Sequence, residues 1–155
     1  YIYRKGLNLF VEAAKELPEF SFYIVGGYDD SINLLKEIAP PNLHFTGRVS
    51  DDELIKLYNS SSVYCQFSIS ESFGYALAEA MSCGCVPVVT RNASLPEVAG
   101  EVGYYIDNND PKEAAEQIKR AANSNLSKRS RDRILKCFSA INVKRKLLDI
   151  VLGCR

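Results

Sequence analysis

The sequence predicts a single α/β domain of the doubly wound, Rossmann-like kind, with a parallel sheet covered by helices on both faces. Short apolar runs rich in β-branched and aromatic residues alternate along the chain with amphipathic stretches at helical spacing. The strand candidates are nearly continuous in apolar residues, the pattern of strands buried on both faces. The length of 155 residues, with 46% apolar and 25% charged, suits one globular domain with a real core.

The elements follow in order. Leu7 to Leu17 places Phe10, Ala13, Ala14 and Leu17 on one helical face, and Pro18 stops it. Ser21 to Val25 is a buried strand running into the Gly26-Gly27 turn. Ser31 to Ala39 is a helix, capped from upstream by Asp29 or Asp30 and ended by Pro40-Pro41. Leu43 to Thr46 is a strand closed by Gly47. Ser50 and Glu53 form a capping box that opens a helix through Tyr58, because hydroxyl and carboxylate each satisfy a free backbone donor. Val63 to Phe67 is a strand, Gly74 to Cys83 a helix and Val86 to Thr90 a strand. Leu95 to Ala99 is a short helical turn, and Gly103 to Ile106 closes the strand set. Asp110-Pro111 starts a helix with Ala114, Ala115, Ile118, Ala121 and Ala122 on one face. Lys128 to Phe138 and Val143 to Leu152 are the last helices.

Composition excludes several classes. Acidic and basic residues balance at 19 each, so no overall field attracts nucleic acid or an anionic membrane. The run Lys128, Arg129, Arg131, Arg133 is expected to be a solvated helix face. The cysteines, at 65, 83, 85, 137 and 154, form no CxxC pair, and the single histidine, His44, is remote from them in sequence. No zinc site is expected; Cys65 and Cys83 are expected to act as small hydrophobes in a reducing, cytoplasmic setting. The triplets at Asn59, Asn92 and Asn125 match the glycosylation sequon and, without a secretory signal, are taken as chance. No apolar stretch approaches the ~20 residues that span a bilayer. The chain opens on YIYRKG without an initiator methionine, so it is expected to be part of a longer protein.

An open parallel sheet binds ligands at the carboxyl ends of its strands, which selects the loops Gly26 to Asp29, Gly47 to Val49, Ser68 to Gly74 and Arg91 to Glu97. In the third, Glu71-Ser72-Phe73-Gly74 leads into a helix carrying Glu79. The unpaired N–H groups of a helix start cradle phosphate oxygens, and Gly74 offers no side chain to keep a ligand away. Carboxylates accept paired hydrogen bonds from vicinal hydroxyls, so the arrangement suits a ligand with sugar, diphosphate and ribose in sequence. Glu79 lies among Ala76, Leu77, Ala78, Ala80 and Met81, which predicts a partly buried carboxylate with a partner. A helix-start charge at Glu71 and an exposed helical Glu79 fit the same spacing, and the residues alone leave both readings open.

Glu71-Ser72-Phe73-Gly74-Tyr75-Ala76-Leu77-Ala78-Glu79-Ala80-Met81 resembles the EX7E motif of the GT-B retaining glycosyltransferases, often called glycosyltransferase group 1 or family 4. Lys5-Gly6 resembles the family's KG, Ile24 to Gly27 its glycine turn, and Leu43 to Val49 its V-x-F-x-G-x-V segment. Ser82 to Val89 is similar to the strand after the EAM helix, and Ser94 to Val98 to the loop beyond it. Phe138-Ser139 resembles a late signature, with Ala140 where an aromatic is common. The resemblance implies the C-terminal donor-binding domain over residues 1–155, its first, central strand and a phosphate-binding arginine lying upstream of Tyr1. If that strand is not supplied, the sheet is left with a gap.

The resemblance also implies roles. Glu79 binds the ribose hydroxyls, and Glu71 contacts the donor sugar. Ser72, Phe73 and Gly74 hold sugar and phosphate, chiefly through backbone amides. Lys5 neutralises the departing diphosphate, without a metal or other cofactor. Gly27 belongs to the donor site, and backbone near Arg48 and Val49 meets the nucleobase. The implied reaction is retaining transfer of a hexose from a nucleoside-diphosphate sugar to a glycan, lipid or small-molecule acceptor held by an absent N-terminal domain. The isolated chain is then inactive, and the whole enzyme is cytoplasmic or peripheral to the cytoplasmic face of a membrane. A sugar-nucleotide epimerase and a catalytically silent nucleotide-binding subunit are the competing readings. An NAD-type dehydrogenase lacks support, since no G-x-G-x-x-G opens the first helix.

Overall fold

The computed structural model describes residues 2–27 and 31–153, with only the backbone of Ile2 and Leu152. A short helix α1 (Ile2–Lys5) leads through Gly6 into α2 (Leu7–Lys15). Strand β1 (Phe22–Val25), helix α3 (Ile32–Ile38) and strand β2 (Leu43–Gly47) follow, then α4 (Asp51–Ser60), β3 (Val63–Gln66) and α5 (Tyr75–Ser82). Strand β4 (Val86–Thr90) precedes α6 (Leu95–Ala99), a 3-10 turn and β5 (Tyr104–Ile106). The chain ends in α7 (Pro111–Ala122), α8 (Ser127–Phe138) and α9 (Ala140–Leu152).

All strand pairs are parallel, and helices flank them as expected of a Rossmann-like α/β fold. β1 pairs with β2 from Phe22↔Leu43 to Val25↔Gly47, with an irregularity after Ile24. β4 lies between β3 and β5 in a separate ladder, with Val63↔Val86 and Val88↔Tyr104 as the first pairs. Among the described residues no ladder joins the two groups. The expected sheet is therefore divided, and β3, only half-buried over Val63 to Cys65, has an edge strand's exposure while β4 is buried from Val86 to Val89. Phe10 of α2 packs across the divide, its ring 5.4 Å from Phe22 and 6.3 Å from Phe67.

Two apolar clusters hold the layers together. One joins α2, α3 and α7 to the strands through Leu9, Val11, Ala13, Ala114 and Ile118. The other packs α5, α6 and α8 on the strands through Leu77, Met81, Leu95, Val98 and Ile134. The inward face of α2 is wider than its predicted stripe: Leu9 and Val11 are buried, and Phe10 is half-buried. Asn42 ties the end of α2 to the start of β2, donating from Nδ2 to the carbonyls of Ala14, Leu17 and Phe20 at 2.9–3.1 Å. The Ser50–Glu53 capping box is present in both directions. Asp110 accepts from the Lys112 amide at 3.0 Å and caps α7. The expected caps Asp29 and Asp30 lie outside the described residues.

The basic run divides. Lys128, Arg129 and Arg131 are exposed, but Arg133 turns inward. Its Nε donates to the Val98 carbonyl at 2.7 Å, and the guanidinium also bonds the Glu97 carbonyl. A cation at the carbonyl end of α6 satisfies unpaired acceptors and complements the helix dipole. Beside it, the buried Ser130 hydroxyl donates to the Cys85 carbonyl at 2.6 Å and fixes α8 on β4. α9 packs on α8 and leaves Ile141, Leu147, Ile150 and Val151 exposed.

Candidate functional site

The strand ends bring together residues far apart in sequence. Gly6 adopts a left-handed φ of 68° and lies against β3's end so closely that a Cβ would stand 2.2 Å from the Phe67 carbonyl oxygen. The Ile69 amide donates to the Arg4 carbonyl at 2.9 Å. These contacts set Lys5 over the β3–α5 loop, where its Nζ donates to Glu71 Oε2 at 2.8 Å. Gln66 Nε2, from the last residue of β3, donates to the same oxygen at 2.9 Å. Lys5 and Glu71, each expected to face the ligand, are therefore each other's partners.

The hydrogen bond from Lys5 holds the Glu71 carboxyl below the ordinary glutamate range, against the opposing effect of burial; the Ser72 amide and Gln66 act in the same direction as Lys5. A carboxyl lowered in the folded state contributes stability that is present above its unfolded value and is lost as pH falls through the folded value. Urea unfolding between about pH 6 and about pH 2 is expected to show a smaller acid-side loss for Glu71→Gln than for the parent chain. Equal losses would show that the ionised pair does not contribute.

Buried polar atoms mark the same strand end. Among the described residues Gln66 Oε1 and Ser68 Oγ are buried with no hydrogen-bond partner, a condition that costs about 1–3 kcal/mol each. The β4–α6 loop is tied to this region: Thr90 Oγ1 and Asn92 Nδ2 donate to the Ser68 carbonyl at 2.9 and 3.3 Å. Ser94 Oγ donates to the Glu71 carbonyl at 3.2 Å. Between them Ala93 has φ 51°, the one positive φ at a non-glycine among the described residues, a conformation held by surrounding contacts.

Helix α5 starts at Gly74, whose φ of 91° turns the chain into the helix without a side-chain cap. The first N–H groups of a helix have no intrahelical acceptor, which is what suits a helix start to phosphate. Gly74 is buried between Glu71 and Leu95, and Ser72 is exposed. The Phe73 ring packs edge-on to Phe138 at 5.5 Å and near Tyr75 at 5.0 Å. Thus Phe138, noted only as part of a late signature, supports the loop.

Glu79 corrects an expectation. It is exposed rather than partly buried, with no side-chain hydrogen bond or ion pair shown among the described residues. Leu77, Ala80 and Met81 face inward, and at about 100° per residue Glu79 falls on the opposite side of the helix. The Tyr58 phenol is pushed up to about 12 by burial and then by the Glu79 charge. The residues after β1 and β2 also meet. The Gly26 amide donates to the Gly47 carbonyl at 2.9 Å, and a Cβ on Gly27 would stand 3.9 Å from Arg48 Nε. Gly27 and Arg48 are exposed and Val49 is half-buried.

A cavity of about 370 Å³ opens at the ends of β4 and β5, lined by Gly6, Asn8, Thr90, Arg91, Asn92 and Asp107 among others, but not by Lys5, Glu71 or Glu79. Sequence reasoning missed Gln66, Ser94 and Phe138 as parts of the Glu71 loop's support. A polar residue ending an apolar strand was the available signal for Gln66.

Comparison with known proteins completes the picture. Residues 1–136 match the family model described as Glycosyl transferases group 1. The chain belongs to that family. The group 1 domain is 31% identical over 109 residues to the alpha-galactosylglucosyldiacylglycerol synthase of Streptococcus pneumoniae, covering 65% of this chain and 29% of that protein. The chain thus spans under a third of that relative. Among solved structures it resembles HepE of Anabaena, with a TM-score of 0.82 and 17% identity over 97% of this chain and 46% of that one. It also resembles the C-terminal domain of a group 1 family protein, LpcC, of Francisella tularensis, at TM-score 0.76 and 19% identity over 89% and 82% of the two chains. The chain is a Rossmann-like domain of the GT-B type, matching the C-terminal domain of group 1 glycosyl transferases. No helix among its described residues is long and apolar enough to cross a membrane, and no three or more His, Cys, Asp or Glu residues there group as a metal site.

Proposed function

We propose that this group 1 domain binds a nucleoside-diphosphate sugar and serves retaining transfer of a hexose, in the manner of family 4. The observation that carries the reading is the Lys5–Glu71 pair, 2.8 Å apart, beside the uncapped start of α5. Breaking the anomeric bond leaves negative charge on the diphosphate. Lys5 supplies a cation for that charge and the α5 amides supply donors, so no metal ion is required. Glu71 accepts from the sugar hydroxyls, and Glu79 from the ribose. Ser72, Phe73 and Gly74 line the sugar and phosphates, while Gly27, Arg48 and Val49 meet the base. HepE, whose fold this chain shares, was solved with UDP-glucose, which supports the ligand class.

The acceptor, a glycan, lipid or small molecule, belongs to an N-terminal domain of the whole enzyme, which we place in the cytoplasm or at the cytoplasmic face of a membrane. The chain alone is expected to bind nucleotide weakly and to transfer no sugar; turnover by the chain would refute this. In calorimetric titrations with uridine, guanosine and adenosine diphosphates, one is expected to bind. Glu79→Ala is expected to abolish that binding with little change in melting temperature, because the side chain is exposed. An unchanged affinity would remove Glu79 from the ribose.

A further inference from the structure

We propose that Gln66 is a positioning residue that keeps the Glu71 carboxylate in place when Lys5 is drawn toward the ligand's phosphates. The proposal rests on the donor-site reading of Lys5 and Glu71, but its geometric premise is independent of it. Two donors meet on one oxygen: Lys5 Nζ at 2.8 Å and Gln66 Nε2 at 2.9 Å from Glu71 Oε2. They differ in what they can do next. Lys5 is a mobile-stemmed cation on a four-residue helix, and an arriving diphosphate competes for it directly. Gln66 is a neutral amide, 9% exposed, fixed at the end of a strand by its pairing with Val89. A phosphate has no charge to attract there, so the amide remains when the ammonium turns away.

The amide is not explained by packing. Its Oε1 is buried without a partner among the described residues, and an apolar side chain of similar volume would leave no such acceptor behind. Val89 lies opposite it in the β3–β4 ladder, while Cys65 and Phe67 on either side direct their side chains to the other face of the strand. What it gains is the bond to Glu71. Among the described residues the titratable group in contact with Glu71 is Lys5 from α1, while Gln66 and the Ser72 amide are the neutral donors.

The test compares Gln66→Leu with the parent chain in two measurements. An NMR pH titration of the Glu71 carboxyl is expected to show its midpoint rising in the variant. Calorimetry with uridine diphosphate and UDP-glucose is expected to show the same affinity for the diphosphate. The additional affinity conferred by the sugar should fall about tenfold. A merely structural role would weaken both ligands together. An unchanged Glu71 midpoint, or an undiminished sugar advantage, overturns the proposal. If the parent chain binds neither ligand, the donor-site reading and the Lys5 displacement built on it both fail; the titration midpoint still decides whether Gln66 holds Glu71. Should Gln66→Leu not fold, Gln66→Met, unbranched and of similar length, carries the same measurements.

Discussion

Gly6→Ala is expected to destabilise the chain by about 3 kcal/mol or more, the sum of a left-handed conformation that disfavours a Cβ and a collision with backbone. The added carbon would lie 2.2 Å from the Phe67 carbonyl oxygen and 2.6 Å from Phe67 Cβ. Neither neighbour is the free end of a flexible side chain, so the α1–α2 junction must lift away from β3. For a domain of this size the loss corresponds to a fall of roughly 10 °C in melting temperature. The junction carries Lys5, so the same lift lengthens the contact with Glu71, and the Glu71 carboxyl is expected to titrate nearer its ordinary value. A melting temperature within about 2 °C of the parent would show that the junction absorbs the methyl group without moving.

Leu77→Ala is expected to cost about 3 kcal/mol, within the usual range for a fully buried leucine. Leu77 has no exposed surface and lies in the cluster that holds α5 against α6 and α8. Met81, Leu95 and Val98 are themselves fully buried around it, so collapse into the cavity is limited. In urea the midpoint should fall while the slope stays unchanged, the mark of lost stability without a change in the surface exposed on unfolding. The comparison with Glu79→Ala is direct, because two positions along one helix separate a side chain that holds the domain from one that faces solvent. A stability loss below about 1 kcal/mol would mean that the second cluster repacks.

The alternation of strands and helices was legible because it depends on local pattern: apolar runs, glycine and proline stops, and the short-range chemistry of caps such as Ser50–Glu53. The grouping of Glu71 with Gly74 and a helix start was legible for the same reason. The surroundings of Glu79 were misjudged because apolar neighbours in sequence were taken as apolar neighbours in space, whereas a helix puts successive residues on different sides. The partnership of Lys5 and Glu71 joins residues 66 positions apart, and nothing local announces it. Arg133 was placed on a solvated face by the charges around it, yet the acceptors at the end of α6 draw it inward. The division between β1 and β3 was anticipated only through the family resemblance, as a gap in the sheet, because strand pairing is not determined by the order of elements alone.

That division has a consequence for how backbone protons exchange with solvent. In a parallel ladder the N–H groups of a strand point alternately to its two sides. β4, paired on both sides at Val88 and Val89, has neighbours for both sets. Among the described residues β3 is paired in the ladder only with β4, so one alternate set of its amides finds no cross-strand acceptor there. Deuterium uptake along Val63 to Gln66 would then rise and fall with a period of two residues, one protected amide beside one that exchanges by small local openings.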